Sequence, residues 1–424
     1  MKMHHEGSAM KRMWGAVVVM VFLAAAPALG DETPPAGKEG FSLLTNLKPY
    51  LQVRPRYEYV DAGNPALRDA HAGTVRTVLG LGVEKLAGLE GASVYLEGTN
   101  VSAVSEAYDS TSSAGNRDPR YAAVADPTFT RMTQAYLRYD RGKTRFIAGR
   151  YRLTLDDHRF IGDVGWRQMP QTFGVVSVRD TSVERLDLFL AYLYERKGVR
   201  DELNNRNASA LVRVGYDFFP ELKAALFGYL LANFHDTYGL RLSGSVEGPV
   251  KLGYLAEYAF QTTPSFKHDY SGGKKNSDFY NAELSAEKWG VKAKVNFVRF
   301  GKARGAAATG FSTPYATLHA FEGWADVILP KAQNGDRDGF TDIYGTLGYT
   351  GKALGTVMAV YHKFDSIRND RDYGDEWDFL YARNLTERLS FLVKAAIYNS
   401  GDQSDPVTRF DVRKVWVMLT YEYK

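Results

Sequence analysis

From about residue 50 to the C-terminus, apolar and polar side chains alternate with a period of two. Leu51, Val53, Pro55, Tyr57 and Tyr59 share one parity, and Gln52, Arg54, Arg56 and Glu58 share the other. Leu186, Leu188, Leu190, Tyr192 and Tyr194 oppose Arg185, Asp187 and Glu195 in the same way. Further on, Val250, Leu252, Tyr254, Ala256, Tyr258 and Phe260 oppose Lys251, Glu257 and Gln261. The last such run sets Val415, Val417, Leu419, Tyr421 and Tyr423 against Lys414, Thr420 and Glu422. Successive side chains of a strand point to opposite faces, so each run predicts a strand with one apolar and one charged face. In a soluble sandwich the apolar face turns to a core and the charged face to water. In a membrane barrel the apolar face meets lipid and the charged face lines the lumen. Alternation alone does not choose between them.

The connections do. Eighteen segments of this kind can be marked, the first near 50–60 and the last near 413–423, and the links between them alternate long and short. Long links run over 61–72, 104–128, 154–172, 197–207, 262–276, 301–340, 365–374 and 400–412, with 233–236 as the compact exception. Short ones include Asp140-Arg141-Gly142-Lys143, Phe218-Phe219-Pro220, Glu247-Gly248-Pro249 and Lys288-Trp289-Gly290. Long loops at one end and tight turns at the other are the mark of an outer-membrane barrel, and a sandwich has no reason to show them. The expected fold is therefore all-β: a single transmembrane, antiparallel, up-and-down barrel of eighteen strands over residues 46–424. An even count puts both termini on the side of the short turns. Tyr57, Tyr59, Tyr136, Tyr139, Tyr192, Tyr194, Phe218, Phe219, Tyr421 and Tyr423 fall near strand ends, where interfacial belts of aromatic rings belong.

Composition narrows this further. The 27 Tyr, 23 Phe and 40 Gly in 424 residues suit many strands and turns better than helices. A formal charge of +4 gives no support to a nucleic-acid partner. Cysteine is absent, which removes disulfides, thiolate metal sites and a cysteine nucleophile. Lys11 and Arg12 precede the apolar run Trp14 to Ala26, followed by Pro27-Ala28-Leu29-Gly30. That order predicts a secretory signal peptide over 1–30, since the run is shorter than a spanning helix needs. Loss of Lys2, Lys11, Arg12 and Glu6 with it takes the formal charge from +4 to +2. Residues 31–45 read as a flexible, Pro- and Gly-rich tail, too small for an energy-coupling plug domain, which favours passive flow.

Other chemistries find little support. A barrel enzyme needs a base beside a nucleophile or acid, and Asp157-His158 is the one pairing to name. The acidic stretch Asn334 to Gly339 lacks the spacing and closing Glu of a calcium loop. An adhesin would use the long loops, which read as polar, short of exposed aromatic clusters and free of repeats. No enzyme activity and no cofactor is expected.

Two blocks carry a resemblance. The first holds Gly149-Arg150, Leu155-Asp156-Asp157, Arg159-Phe160-Ile161-Gly162, Val164-Gly165-Trp166-Arg167-Gln168 and Gln171-Thr172-Phe173. The second holds Pro314-Tyr315, His319, Phe321-Glu322-Gly323-Trp324-Ala325-Asp326, Gly339, Asp342 and Tyr344. Together with the opening strand Arg54 to Asp61, they resemble the alginate-export family of outer-membrane porins. The resemblance implies an eighteen-stranded channel, an arginine-rich lumen and an anionic polysaccharide as solute. Guanidinium groups suit that task because they grip carboxylates in bidentate fashion and keep their charge. Inward candidates are Arg54, Arg56, Arg76, Arg138, Arg150, Arg213, Arg241, Lys292, Lys294 and Lys394, with Glu58 beside them; Arg159 and Arg167 lie in the 154–172 link, where they would form a constriction. Parity near 143–153 and 355–364 leaves Arg145 against Arg150, and Lys363 against His362, open. The competing explanation is that each base pairs with a neighbouring carboxylate, since Glu58, Glu84, Glu97, Glu257, Glu283 and Glu287 share the inward parity. A charge near neutrality keeps a general porin without polyanion preference as the alternative. Expected partners are outer-membrane lipid and lipopolysaccharide, an anionic or hydrophilic solute, and periplasmic export proteins, with no nucleic acid.

Overall fold

A computed structural model describes residues 45–201, 203–204, 208–267, 270–402 and 404–424. The signal peptide 1–30 and almost all of the tail 31–45 lie outside the described residues, as does His268. Eighteen strands form the wall: β1 Thr45–Asp61, β2 Ala70–Glu84, β3 Ala92–Ala107, β4 Thr130–Arg141, β5 Thr144–Tyr151, β6 Thr172–Asp180, β7 Leu186–Lys197, β8 Ser209–Phe219, β9 Leu222–Leu231, β10 His235–Val246, β11 Lys251–Thr262, β12 Asn276–Lys288, β13 Val291–Phe300, β14 Phe340–Gly351, β15 Gly355–Ser366, β16 Asp372–Asn384, β17 Leu389–Asn399 and β18 Val412–Tyr423. Every neighbouring pair is antiparallel, and β1 bonds both β2 and β18, so the sheet closes. A two-residue strand, Leu203–Asn204, folds back on the end of β7 outside the main wall.

Each segment marked by alternation overlaps one of these strands. The largest shift is at β1, which starts at Thr45 rather than near 50. The turns explain how neighbours find register. Trp289 and Gly290 both take left-handed backbone (φ 52° and 79°), the two-residue hairpin geometry whose twist matches that of the strands.

The two faces of the wall reverse the order of a soluble protein. Leu284 is 70% exposed and Val295 63%, while Glu58 and Asp342 are 1% and 0% exposed inside the barrel. An apolar outer belt is stable only against hydrocarbon, so the exposure pattern itself selects the membrane barrel.

The lumen is filled from the long-link end. Links 152–171 and 301–339 fold inward and bury Phe160, Ile161, Phe311, Tyr315, Trp324 and Ile328 against wall residues such as Phe173, Phe227, Phe279 and Phe300. Burying side chains of this size contributes about 1.5–3 kcal/mol each. The long links therefore carry a hidden apolar core: the infolding expected of 154–172 extends to 301–339, and the reading of these links as polar is corrected. Their backbones are laced together: Gly162 N–H donates to Tyr315 O (2.9 Å), Thr317 N–H to His158 O (2.9 Å), and Gln171 Nε2 to both Gly162 O and Tyr315 O.

A charge placed on the outer belt tests this orientation. Leu284→Arg is expected to cost about 2–4 kcal/mol in denaturant unfolding from lipid vesicles. A loss below half a kcal/mol would mean that this face does not meet hydrocarbon.

Candidate functional site

Strand parity divides the lumen wall into adjacent arcs of opposite sign. Arg54, Arg56, Arg76, Lys394 and Lys414 come from β1, β2, β17 and β18, while Asp342, Glu376 and Asp378 come from β14 and β16; all are buried. The inserted links answer each arc with the other charge. Arg159 gives Nη1–H to Glu322 Oε1 at 2.7 Å, close to the acidic arc and within 3.4 Å of Tyr344 Oη. Toward the basic arc, Arg167 bridges Glu58 (3.1 Å) and Asp326 (2.8 Å), and Lys414 reaches the same Asp326 (3.1 Å). Asp126, from the link 108–129, pairs with Arg56 and accepts the Gln168 N–H at 2.7 Å. Buried charges persist when paired in this way, and removing one partner typically costs about 3–5 kcal/mol.

The acidic arc also grips backbone. Ala325 N–H donates to Glu376 Oε1 (2.6 Å) and Trp324 N–H to Asp378 Oδ2 (3.2 Å). Gly323, at φ 76°, makes this approach possible, since a Cβ there would lie 2.5 Å from a Glu376 oxygen.

Among the described residues three bases of the basic arc, Arg54, Arg76 and Lys394, make no ion pair with a carboxylate, and the first two adjoin. Arg54 and Arg76 are direct cross-strand partners in the β1–β2 register. Arg54 donates to Gln168 Oε1 (2.9 Å), Gly165 O (3.1 Å) and Arg167 O (2.6 Å), all uncharged acceptors. Arg76 is 2% exposed, its Nε has no acceptor, and its guanidinium makes no ion pair among the described residues. Nearby, Arg152 pairs with Glu97 at 2.8 Å.

The other bases picked from the sequence are neutralised locally. Arg138 pairs with Asp140, Lys294 with Glu283 (2.6 Å), and the half-exposed Lys292 stands 3.9 Å from Glu287. Arg213 binds Asp156 (2.8 Å) and Asp187 (3.1 Å), and Arg241 binds Asp157 (3.0 Å) and Glu257 (3.2 Å). Two adjoining cavities of about 470 and 440 Å³ open beside this group, sharing Asp156, Arg179, Asp187 and Arg213 in their walls. Arg150 is a correction. It sits on the outward parity with Phe146 and Ala148, pairing with Glu195 at 2.5 Å, while Arg145 faces the lumen and reaches Asp140 at 2.9 Å. The other open parity resolves with His362 inside, 2.9 Å from Asp342, and Lys363 outside. Lys394, expected to line an open pore, is instead enclosed by rings.

Sequence reasoning leaves Arg145 open and misses Arg152, Arg179 and Lys414 as lumen bases, together with the loop acids Asp126 and Asp326. Parity could have found the strand residues, but nothing in the alternation marks which loop acids turn inward. His158 Nδ1 lies 4.0 Å from Asp163, while Asp157 accepts from Arg241 (3.0 Å) and the Arg159 N–H (3.3 Å). Among the described residues no cluster of three His, Cys, Asp or Glu could hold a metal ion.

Wall, inserted links and charged lumen together define a porin-type β-barrel. Among solved structures the chain is similar to the BenF-like porin from Pseudomonas fluorescens Pf-5, at 14% identity and TM-score 0.67, over 90% of this chain and 99% of that one. It is similar also to OccK8 (OprE) of Pseudomonas aeruginosa, at 14% and 0.66 over 90% and 99%. A third is OccAB2 of Acinetobacter baumannii, at 14% and 0.66 over 91% and 99%. Neither a protein-family model nor a curated protein matches the chain. The likeness carries the fold and lends nothing to alginate export in particular.

Electrostatics in the inserted links supply a test. Burial pushes the Glu322 carboxyl up to about 7, with Asp342 and Asp157 adding like charge against the pull of Arg159. Burial also disfavours ionised Asp326, but Lys414, His319 and Arg167 outweigh it and hold that carboxyl well below its usual range. The folded Glu322 thus keeps its proton above the ordinary value near 4.5. Its contribution to stability falls as pH rises from that value to about 7 and is flat beyond. Glu322→Gln is expected to flatten this part of the stability curve, measured by denaturant titration between those limits. An unchanged slope would show that Glu322 does not titrate there.

Proposed function

We propose that the protein is an outer-membrane channel through which small hydrophilic solutes diffuse, with a preference for anions. The observation that carries this reading is the Arg54–Arg76 pair, two buried guanidinium groups facing each other across β1 and β2 without a carboxylate partner among the described residues. Unlike charges that merely brace a wall, these leave net positive potential for a mobile anion to satisfy, and low-dielectric walls focus it. Arginine keeps that charge at any relevant pH.

The signal peptide at 1–30 would deliver the chain to the outer membrane, where the apolar belt takes lipid and lipopolysaccharide as its surroundings. One solved neighbour is a BenF-like porin, which supports a channel. Uronic-acid polysaccharide is the finer possibility raised by the sequence blocks, but inserted links packed across the lumen favour solutes of small size. No catalytic step is needed, and a general porin without ion preference is the competing outcome.

In planar bilayers under a salt gradient, the reversal potential is expected to show anion preference. Arg76→Gln should lower the anion-to-cation permeability ratio about fivefold, since one charge acting over about 8 Å in a water-like dielectric shifts an anion and a cation by ~0.5 kcal/mol each, in opposite directions. A current indifferent to ion sign in both proteins would support the general porin. Blockade by uronic-acid oligomers would bring back the polysaccharide.

A further inference from the structure

Lys394, on β17, is a wall cation surrounded by rings. Its ammonium lies 3.5 Å from the ring centre of Trp324, 4.1 Å from that of Trp166 and 5.4 Å from that of Trp416. Its remaining close partner is His319 Nε2 at 2.9 Å, and it makes no ion pair among the described residues. These groups arrive from three parts of the chain. Trp166 belongs to link 152–171, His319 and Trp324 to link 301–339, and Trp416 to β18.

The rings are ordered among themselves. Trp166 stacks flat on His319 (4.8 Å, 9°), and Trp416 meets both edge-on (5.7 Å each, 78° and 80°). His319 Nδ1 is 2.7 Å from Asp326 Oδ1. Assigning the ring proton to Nδ1 lets it donate to that carboxylate and leaves the Nε2 lone pair to accept from the ammonium. Burial holds the imidazole neutral, pushing it down to about 3. A desolvated cation over aromatic faces is strongly attracted, so the cage draws both links onto the wall at one point.

Backbone strain around this point opposes the attraction. His158 (φ 67°) and Val164 (φ 49°) in one link, and Asp326 (φ 61°) in the other, hold left-handed conformations that side chains disfavour, a β-branched valine most of all. Residues held in such conformations relax once their surroundings release them.

We propose that Lys394 is a positioning residue that pins links 152–171 and 301–339 against β17 and β18, and that release of this pin widens the passage. The inference rests on the channel reading for its effect on current, but the pin itself can be tested without it. Two variants separate geometry from charge. Lys394→Met removes the cation at similar volume, and Trp324→Leu removes one wall of the cage while keeping the cation. Both are expected to show a several-fold rise in open–closed transitions and a larger mean conductance in planar bilayers. In the folded, detergent-solubilised barrel, both should also show several-fold faster protease cleavage within 152–171 and 301–339. Faster cleavage in both variants supports the pin even where the wild type passes no current, a result that would count against the channel instead. The proposal is overturned if Trp324→Leu behaves as wild type in both measurements, or if Lys394→Met alters ion selectivity while conductance, transitions and cleavage stay unchanged.

Discussion

Hydrocarbon offers no hydrogen-bond partner to a backbone amide, and the architecture follows from that. A sheet placed in it must satisfy every backbone N–H and C=O internally, which an open sheet cannot do at its edges. Here β1 bonds to β2 on one side and β18 on the other, so no edge remains. Closure then fixes the side chains: one parity must face the membrane and the other a lumen too wide for wall residues alone to fill. The outward parity is apolar, and the inward parity is where charge can be kept.

Keeping charge inside brings its own requirement. A buried ion must be paired or satisfied by dipoles, and this lumen meets that demand by folding its long links inward with matching signs. Arg159 goes to Glu322, Arg167 and Lys414 share Asp326, and Asp126 answers Arg56. What pairing leaves over is local: Arg54 bound to neutral acceptors, Arg76 bound to none among the described residues, and Lys394 held by rings. The first two carry the proposed anion preference, and the third carries the proposed pin on the links.

The wall was legible in the sequence because period-2 alternation and the rhythm of long and short links are direct images of a closed meander. Eighteen segments could be placed with no partner known. Parity failed at Arg150 because β5 is only eight residues long and contains Gly149 at φ 130°, so the short run gave too few positions to fix its face. Within the site, wall bases such as Arg54 and Arg76 could be read from parity, whereas their partners could not. Asp126 and Asp326 sit in links without periodicity, and only the fold shows that those links turn inward. A signal was present in Phe160, Trp166, Phe311, Tyr315 and Trp324, a set of large apolar residues that surface loops would have no reason to carry.

The central claim is that the Arg54–Arg76 pair is where an anion dwells inside the barrel. Crystals grown in bromide would test it most directly through the ion's anomalous scattering. A peak within hydrogen-bonding distance of the Arg76 guanidinium, lost in Arg76→Gln, is the predicted result. Bromide bound only among the exposed bases of the loops and mouth, with none at Arg76, would contradict it.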